Sequence, residues 1–181
     1  MKKFLAMLMA VMMVLSLVTV PVMAETPAAN DPRLSTAPKT GTAAAPADAA
    51  NLNEALNVAG GTLTFTYEGD HPWIVDGDAA KSTNVNVANS TSTVSTTVTA
   101  AAGDILQFDF MSFGEGAGDY VWDGLHLTVD GTEVMKWSRV ETWTTYAVEL
   151  TAGEHTVTWT YQKDSSVDKE GDYANVDNVY V

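Results

Sequence analysis

From about residue 61 onward the chain alternates apolar and polar positions. Leu106, Phe108 and Phe110 share one side of an extended segment while Gln107 and Asp109 take the other; Val157, Trp159 and Tyr161 alternate likewise with Thr156, Thr158 and Thr160. A period of two belongs to a strand with one face in a core. Short β-branched and aromatic runs separated by Gly, Asp and Asn predict strands over residues 62–67, 73–75, 83–88, 92–99, 105–113, 120–129, 133–137, 144–150, 155–161 and 174–181. Asp130-Gly131 accepts positive φ and suits a tight hairpin between 125–129 and 134–137, and Ala152-Gly153 plays the same part before His155. No segment here keeps a helical period, so residues 58–181 are expected to form one all-β domain, a two-sheet antiparallel sandwich.

The first part of the chain reads differently. Lys2 and Lys3 precede an apolar run over 4–18 that closes on Val22-Met23-Ala24, the pattern of a secretory signal peptide over 1–24. The run is shorter than the ~20 residues of a spanning helix, so the mature protein is expected to be secreted and free of the membrane, surface-associated only through a partner. Residues 25–57 shift to Ala, Pro and Thr, with Pro27, Pro32, Pro38 and Pro46 interrupting any regular element. They are expected to be a disordered linker, dispensable for folding. Ala and Leu favour a short helix over 47–58, but Gly60-Gly61 ends it at once.

Composition narrows the partners. The chain has no cysteine, so disulfides cannot support an exported domain and the core must hold it together. Nine basic residues stand against 23 acidic ones, a net charge of -14, and loss of the leader removes Lys2 and Lys3 but no acid. Such a surface repels nucleic acid and favours solubility or divalent cations.

Two groups of residues carry candidate chemistry. Asp177 shares the strand face of Val179 and Val181, so alternation aims its carboxylate at the core side. A buried carboxylate needs a partner: calcium with Asp164 and Asp172 as co-ligands, a basic side chain, or backbone and hydroxyl donors. Asp76-Gly77-Asp78 is a weaker cation candidate without EF-hand spacing. The second group is aromatic. Val121, Leu125, Leu127 and Val129 form one strand face, leaving Tyr120, Trp122 and His126 on the other; Trp73 and Trp143 stand near strand ends. Flat rings stack on the apolar faces of sugars, so these five are the candidate ligand-binding residues, unless neighbouring loops bury them. His71, His126 and His155 lack zincin spacing, no Gly-x-Ser-x-Gly turn occurs, and no strand presents acids as a glycosidase would. The domain is therefore expected to be non-catalytic, binding a glycan or an extracellular protein. A purely structural or protein-binding sandwich is the alternative, and a small glycoside hydrolase a more distant one.

Three blocks resemble a known family: Tyr120-Val121-Trp122-Asp123-Gly124-Leu125; Trp143-Thr144-Thr145-Tyr146 leading to Leu150-Thr151-Ala152-Gly153-Glu154-His155-Thr156; and Trp159-Thr160-Tyr161-Gln162-Lys163-Asp164 followed by 171–179. The span 67–181 resembles the MAM-like and cleaved-adhesin domains of exported bacterial proteins. That resemblance implies a concanavalin-like jelly roll used as an extracellular module beside peptidases, glycan-active enzymes or adhesive repeats, and it implies no catalysis.

Overall fold

The computed structural model describes residues 34–35, 49–117, 119–166 and 171–181. The expected signal peptide over 1–24 and most of the expected linker over 25–57 lie outside the described residues. In chain order the elements are β1 (Leu34–Ser35), α1 (Leu52–Leu56), β2 (Phe65–Glu68), β3 (Ile74–Asp76), β4 (Ala79–Lys81), β5 (Thr91–Ala100), β6 (Ile105–Ser112), β7 (Gly116–Ala117), β8 (Tyr120–Val121), β9 (Gly124–Val129), β10 (Thr132–Trp137), β11 (Val140–Glu149), β12 (Gly153–Gln162) and β13 (Ala174–Tyr180). One antiparallel sheet is ordered β1-β11-β6-β13-β4-β3 and the other β10-β9-β12-β5-β2, while β7 and β8 form a separate small hairpin.

The alternation read from the sequence builds the core. Leu106, Phe108 and Phe110 of β6 and Val157, Trp159 and Tyr161 of β12 are all fully buried. Each sheet contributes one apolar face, and the two interdigitate. Trp159 meets Phe108 edge-on at 5.3 Å between ring centroids, and Trp137 lies 4.4 Å from Phe110 and 4.9 Å from Tyr146. With no cysteine in the chain, this aromatic layer is the main cross-sheet tie.

Four elements depart from the sequence reading. The segment 83–88 is turn, not strand: Asn86 and, just beyond it, Asn89 sit at φ 58 and 51, left-handed conformations that interrupt regular strand pairing. Its place is taken by β4, whose Ala-Ala-Lys has weak strand propensity but is paired on both sides, by β3 and β13. The expected strand over 120–129 is cut by a bend at Trp122 and Asp123 into β8 and β9. The fourth departure is in β13, where the register shifts between Asp177 and Tyr180 and Asn178 takes φ 53. This β-bulge lets Val176 and Val179 both turn inward, so strict alternation fails.

The linker also ends earlier than the expected Asn57, because residues from Ala49 belong to the domain. Asn51 caps α1 by accepting from Glu54 N at 3.1 Å, and Glu54 in return accepts from Ala50 N. Ala55 and Leu56 are fully buried, and the Asn57 side chain ties the helix to Leu63 through two hydrogen bonds. The helix contacts β13, β4, β3 and β2, closing the sandwich between the facing edges of its sheets. Leu56→Ala is expected to cost about 2–5 kcal/mol in a thermal or urea melt. A chain begun at Val58 should melt well below one begun at Ala49; equal melting would place α1 outside the cooperative unit.

Candidate functional site

At the end of the sandwich where β6 stops and β9 begins, the chain makes a small protruding hairpin, β7–β8. Its base is fixed by backbone: Trp122 N and Asp123 N both donate to the Glu115 carbonyl, at 2.9 and 3.0 Å. Gly124 is needed just beyond, since a Cβ there would collide with the Trp137 carbonyl and the Val121 side chain. Val121 therefore points inward, and its neighbours Tyr120 and Trp122 point out, 72% and 42% exposed.

Beneath this hairpin lies an ion triad. The Lys163 ammonium donates to Asp123 Oδ2 at 2.8 Å and to Asp172 Oδ2 at 3.1 Å, with the lysine side chain fully buried. The second oxygen of Asp123 accepts from Asp164 N at 2.8 Å. Burial pulls the Lys163 pKa down, but its bonds to the two carboxylates outweigh that and hold it above the ordinary lysine value. The triad staples the loop before β9 to the segments on either side of residues 167–170. Phe113 reinforces it, donating its N–H to the Tyr173 carbonyl and stacking on that ring at 4.8 Å.

Neither Lys163 nor Asp123 stood among the expected site residues, although the signal was present. Positions 157, 159, 161 and 163 continue one alternation, so the lysine was aimed inward and had to find carboxylates.

The expected ligand-binding residues separate. Tyr120 on β8 and Trp122 in the bend that follows it are both exposed. Trp73 is corrected to a core residue: it is 2% exposed and has no free ring face. Trp143 is half-buried on β11, next to Thr144, which faces the core. His126 lies on the outward side of the five-stranded sheet, its Nδ1 2.7 Å from Glu133 Oε2, while Glu133 Oε1 is 3.2 Å from Lys136 Nζ.

The three acids expected to share a cation are not gathered. Asp172 is held by Lys163, and Asp164 accepts from Ser166 N and Oγ. The bulge puts Asp177 on the opposite side of its strand from Val176, where its cross-strand partner is Asp109. It is nevertheless buried, 3% exposed, and accepts from Asn178 N. Among the described residues no three acids or histidines converge as a metal cage.

One histidine does align with an acid and a threonine. His155 Nδ1 lies 2.7 Å from Asp130 Oδ2, and its Nε2 faces the Thr151 carbonyl oxygen at 3.0 Å. A nitrogen that donates to a carbonyl cannot take a proton from a hydroxyl, so this is a charged latch between turns and not a nucleophile triad. The Asp130 bond, then the Thr151 carbonyl, raise the His155 pKa above 6.5; the His155 bond, then Thr156 N, lower that of Asp130. The histidine's contribution to stability is complete below its ordinary pKa and is lost as pH rises through its raised folded value. That of Asp130 is lost only in acid, as pH falls through its depressed value. Melting temperature is thus expected to fall as pH rises from the ordinary histidine range through the raised His155 value in the parent, and to lose that component in His155→Gln. Parallel pH profiles of the two proteins would mean the latch does not titrate as drawn.

No family model and no curated protein matches the chain. Solved structures do. The secreted serine protease VesC from Vibrio cholerae aligns at 18% identity and TM-score 0.53, over 65% of this chain and 24% of the protease, so this chain corresponds to about a quarter of that protein. The fold is a jelly-roll β-sandwich. Other solved structures similar to this jelly roll include a family 29 carbohydrate binding module (16% identity, TM-score 0.45, 69% of this chain and 86% of that one). A xylan-binding domain from Paenibacillus barcinonensis also aligns (10% identity, TM-score 0.43, 72% and 95%). At such identities the likeness is one of fold, and it does not single out MAM-like domains. Among the described residues no helix is long and apolar enough to cross a membrane.

Proposed function

We propose that this protein is an exported, non-catalytic glycan-binding module whose contact site is the β7–β8 hairpin bearing Tyr120 and Trp122. The observation that carries the reading is the pairing of two exposed rings with a rigid base. Large aromatics are normally buried, and these two stand out on a hairpin fixed by two hydrogen bonds to Glu115 and an ion triad below. Preorganised rings lose little freedom when they stack on a sugar face, so their burial goes into affinity. Acids that hydrogen-bond hydroxyl groups flank them, Glu115 and Asp119.

The test is a titration of soluble neutral oligosaccharides, read by calorimetry and by tryptophan fluorescence. Trp122→Ala is expected to weaken binding roughly tenfold or more, as for an anchor residue, with an unchanged melt because the ring lies outside the core. Unaltered affinity in both Trp122→Ala and Tyr120→Ala would remove the hairpin as the site.

A further inference from the structure

The outward side of the five-stranded sheet has a different chemistry from the hairpin. Every outward position of β5 is a hydroxyl residue, Thr91, Thr93, Ser95, Thr97 and Thr99, while its alternate positions are buried. β12 presents Thr156, Thr158 and Thr160 on the same side. The register sets these in rows: Thr66, Ser95, Thr158 and Thr128 run across four strands, Thr93 lies opposite Thr160, and Thr97 opposite Thr156. Two cross-strand pairs bond to each other, Thr66 with Ser95 and Thr93 with Thr160, both at 3.2 Å.

Strand propensity favours threonine, but it acts on both sheets alike. Outward positions of the six-stranded sheet are mixed instead: Gln107, Asp109 and Met111 on β6, and Glu141, Trp143, Thr145, Ala147 and Glu149 on β11, a single threonine among acids, an amide and apolar groups. The difference therefore belongs to the face. On a chain of net charge -14, the acids stay at the margins of this grid: Glu68 ends β2, Glu154 lies at the start of β12, and Glu133 lies with Lys136 on the edge strand β10, where it bonds His126 of β9. A shallow groove of about 370 Å³ beside β2, lined by Thr64, Thr66, Ser95 and Thr97 among others, continues the uncharged surface.

We propose that this hydroxyl face is a second glycan-contacting surface that docks on the ordered surface of a neutral, insoluble polysaccharide. The proposal rests on the glycan-binding reading above and extends it to the class of substrate. Each threonine supplies one donor, two acceptor lone pairs and a methyl group, which matches the alternating hydroxyl and C–H surface of a sugar polymer. Strands ~4.8 Å apart with like-facing side chains every ~6.8 Å make a regular grid. Single hydroxyl contacts are weak, so the grid gains affinity only where many are met at once, as on a packed polymer surface. The uncharged grid suits a neutral polymer, and the acidity elsewhere disfavours an anionic one.

The experiment is depletion of the full-length mature protein onto microcrystalline cellulose, crystalline chitin and crystalline mannan, with calcium-free pectate beads as the acidic comparison. The parent is expected to be retained on at least one neutral solid and not on pectate. Thr93→Glu/Thr158→Glu should lower that retention tenfold or more. Gln107→Glu, which adds negative charge on the opposite sheet, should leave it unchanged. Thr158→Gln, bulky but neutral, should lower it with an unaltered melt, which separates docking from misfolding. Retention of the double glutamate variant at the parent level, equal loss in Gln107→Glu, or no retention of the parent on any neutral solid would each overturn the proposal. Trp122→Ala distinguishes the two surfaces. If it abolishes retention on solids as fully as binding to soluble sugars, the hairpin alone is the site and the grid proposal fails. If the threonine variants lose the solid while Trp122→Ala keeps all binding, the grid stands and the hairpin reading falls.

Discussion

Lys163→Met is expected to destabilise the domain by about 3–5 kcal/mol, the usual cost of removing one partner from a buried ion pair. Methionine fills nearly the same volume, so little of this is packing. The loss comes from leaving Asp123 and Asp172 facing each other in a site where the lysine side chain is fully buried. The triple variant Lys163→Met/Asp123→Asn/Asp172→Asn should recover much of the stability. Neutral amides need no counter-charge, and the amide oxygen that replaces the Asp123 carboxylate can still accept from Asp164 N. Urea melts of parent, single and triple variants decide the matter. A single variant as stable as the parent would mean the carboxylates reach solvent and the triad is a surface feature.

Trp159→Ala should have an effect of similar size, about 3–5 kcal/mol, as for large aromatics removed from cores. Its ring is fully buried at the middle of β12, edge-on to Phe108 across the two sheets and 6.1 Å from Phe65. The cavity would open where strands from both sheets converge, and close packing leaves neighbours little room to collapse into it. Trp159→Phe, which keeps an aromatic contact with Phe108, should be clearly less destabilising. A melt unchanged by Trp159→Ala would put the residue on the surface and turn β12 inside out.

What the sequence made legible was whatever obeyed a period of two. The inward faces of β6 and β12 follow directly from it, and so does the outward aim of Tyr120 and Trp122 opposed to Val121. Local exceptions were illegible. Five residues of α1 are too few to display a helical period, and β4 is a strand because of its neighbours and not its residues. Asn178 carries the bulge that moved Asp177 away from the face of Val179, and an asparagine in a strand does not announce left-handed backbone. Trp73 precedes a three-residue strand, too short for alternation to say which way the ring turns. Lys163 is the opposite case: its inward aim was written in the pattern, but its carboxylate partners come from 40 and nine residues away.

The staple at the hairpin end is electrostatic where many exported domains of this size would use a covalent link. It closes as the chain folds, requires no oxidase or isomerase, and is indifferent to thiols in the surroundings. Being enclosed, it is also poorly reached by mobile ions, so seawater salinity should loosen it far less than an exposed pair. Tyr120 and Trp122 would then be presented in the same way in reducing medium, in brine and in dilute buffer.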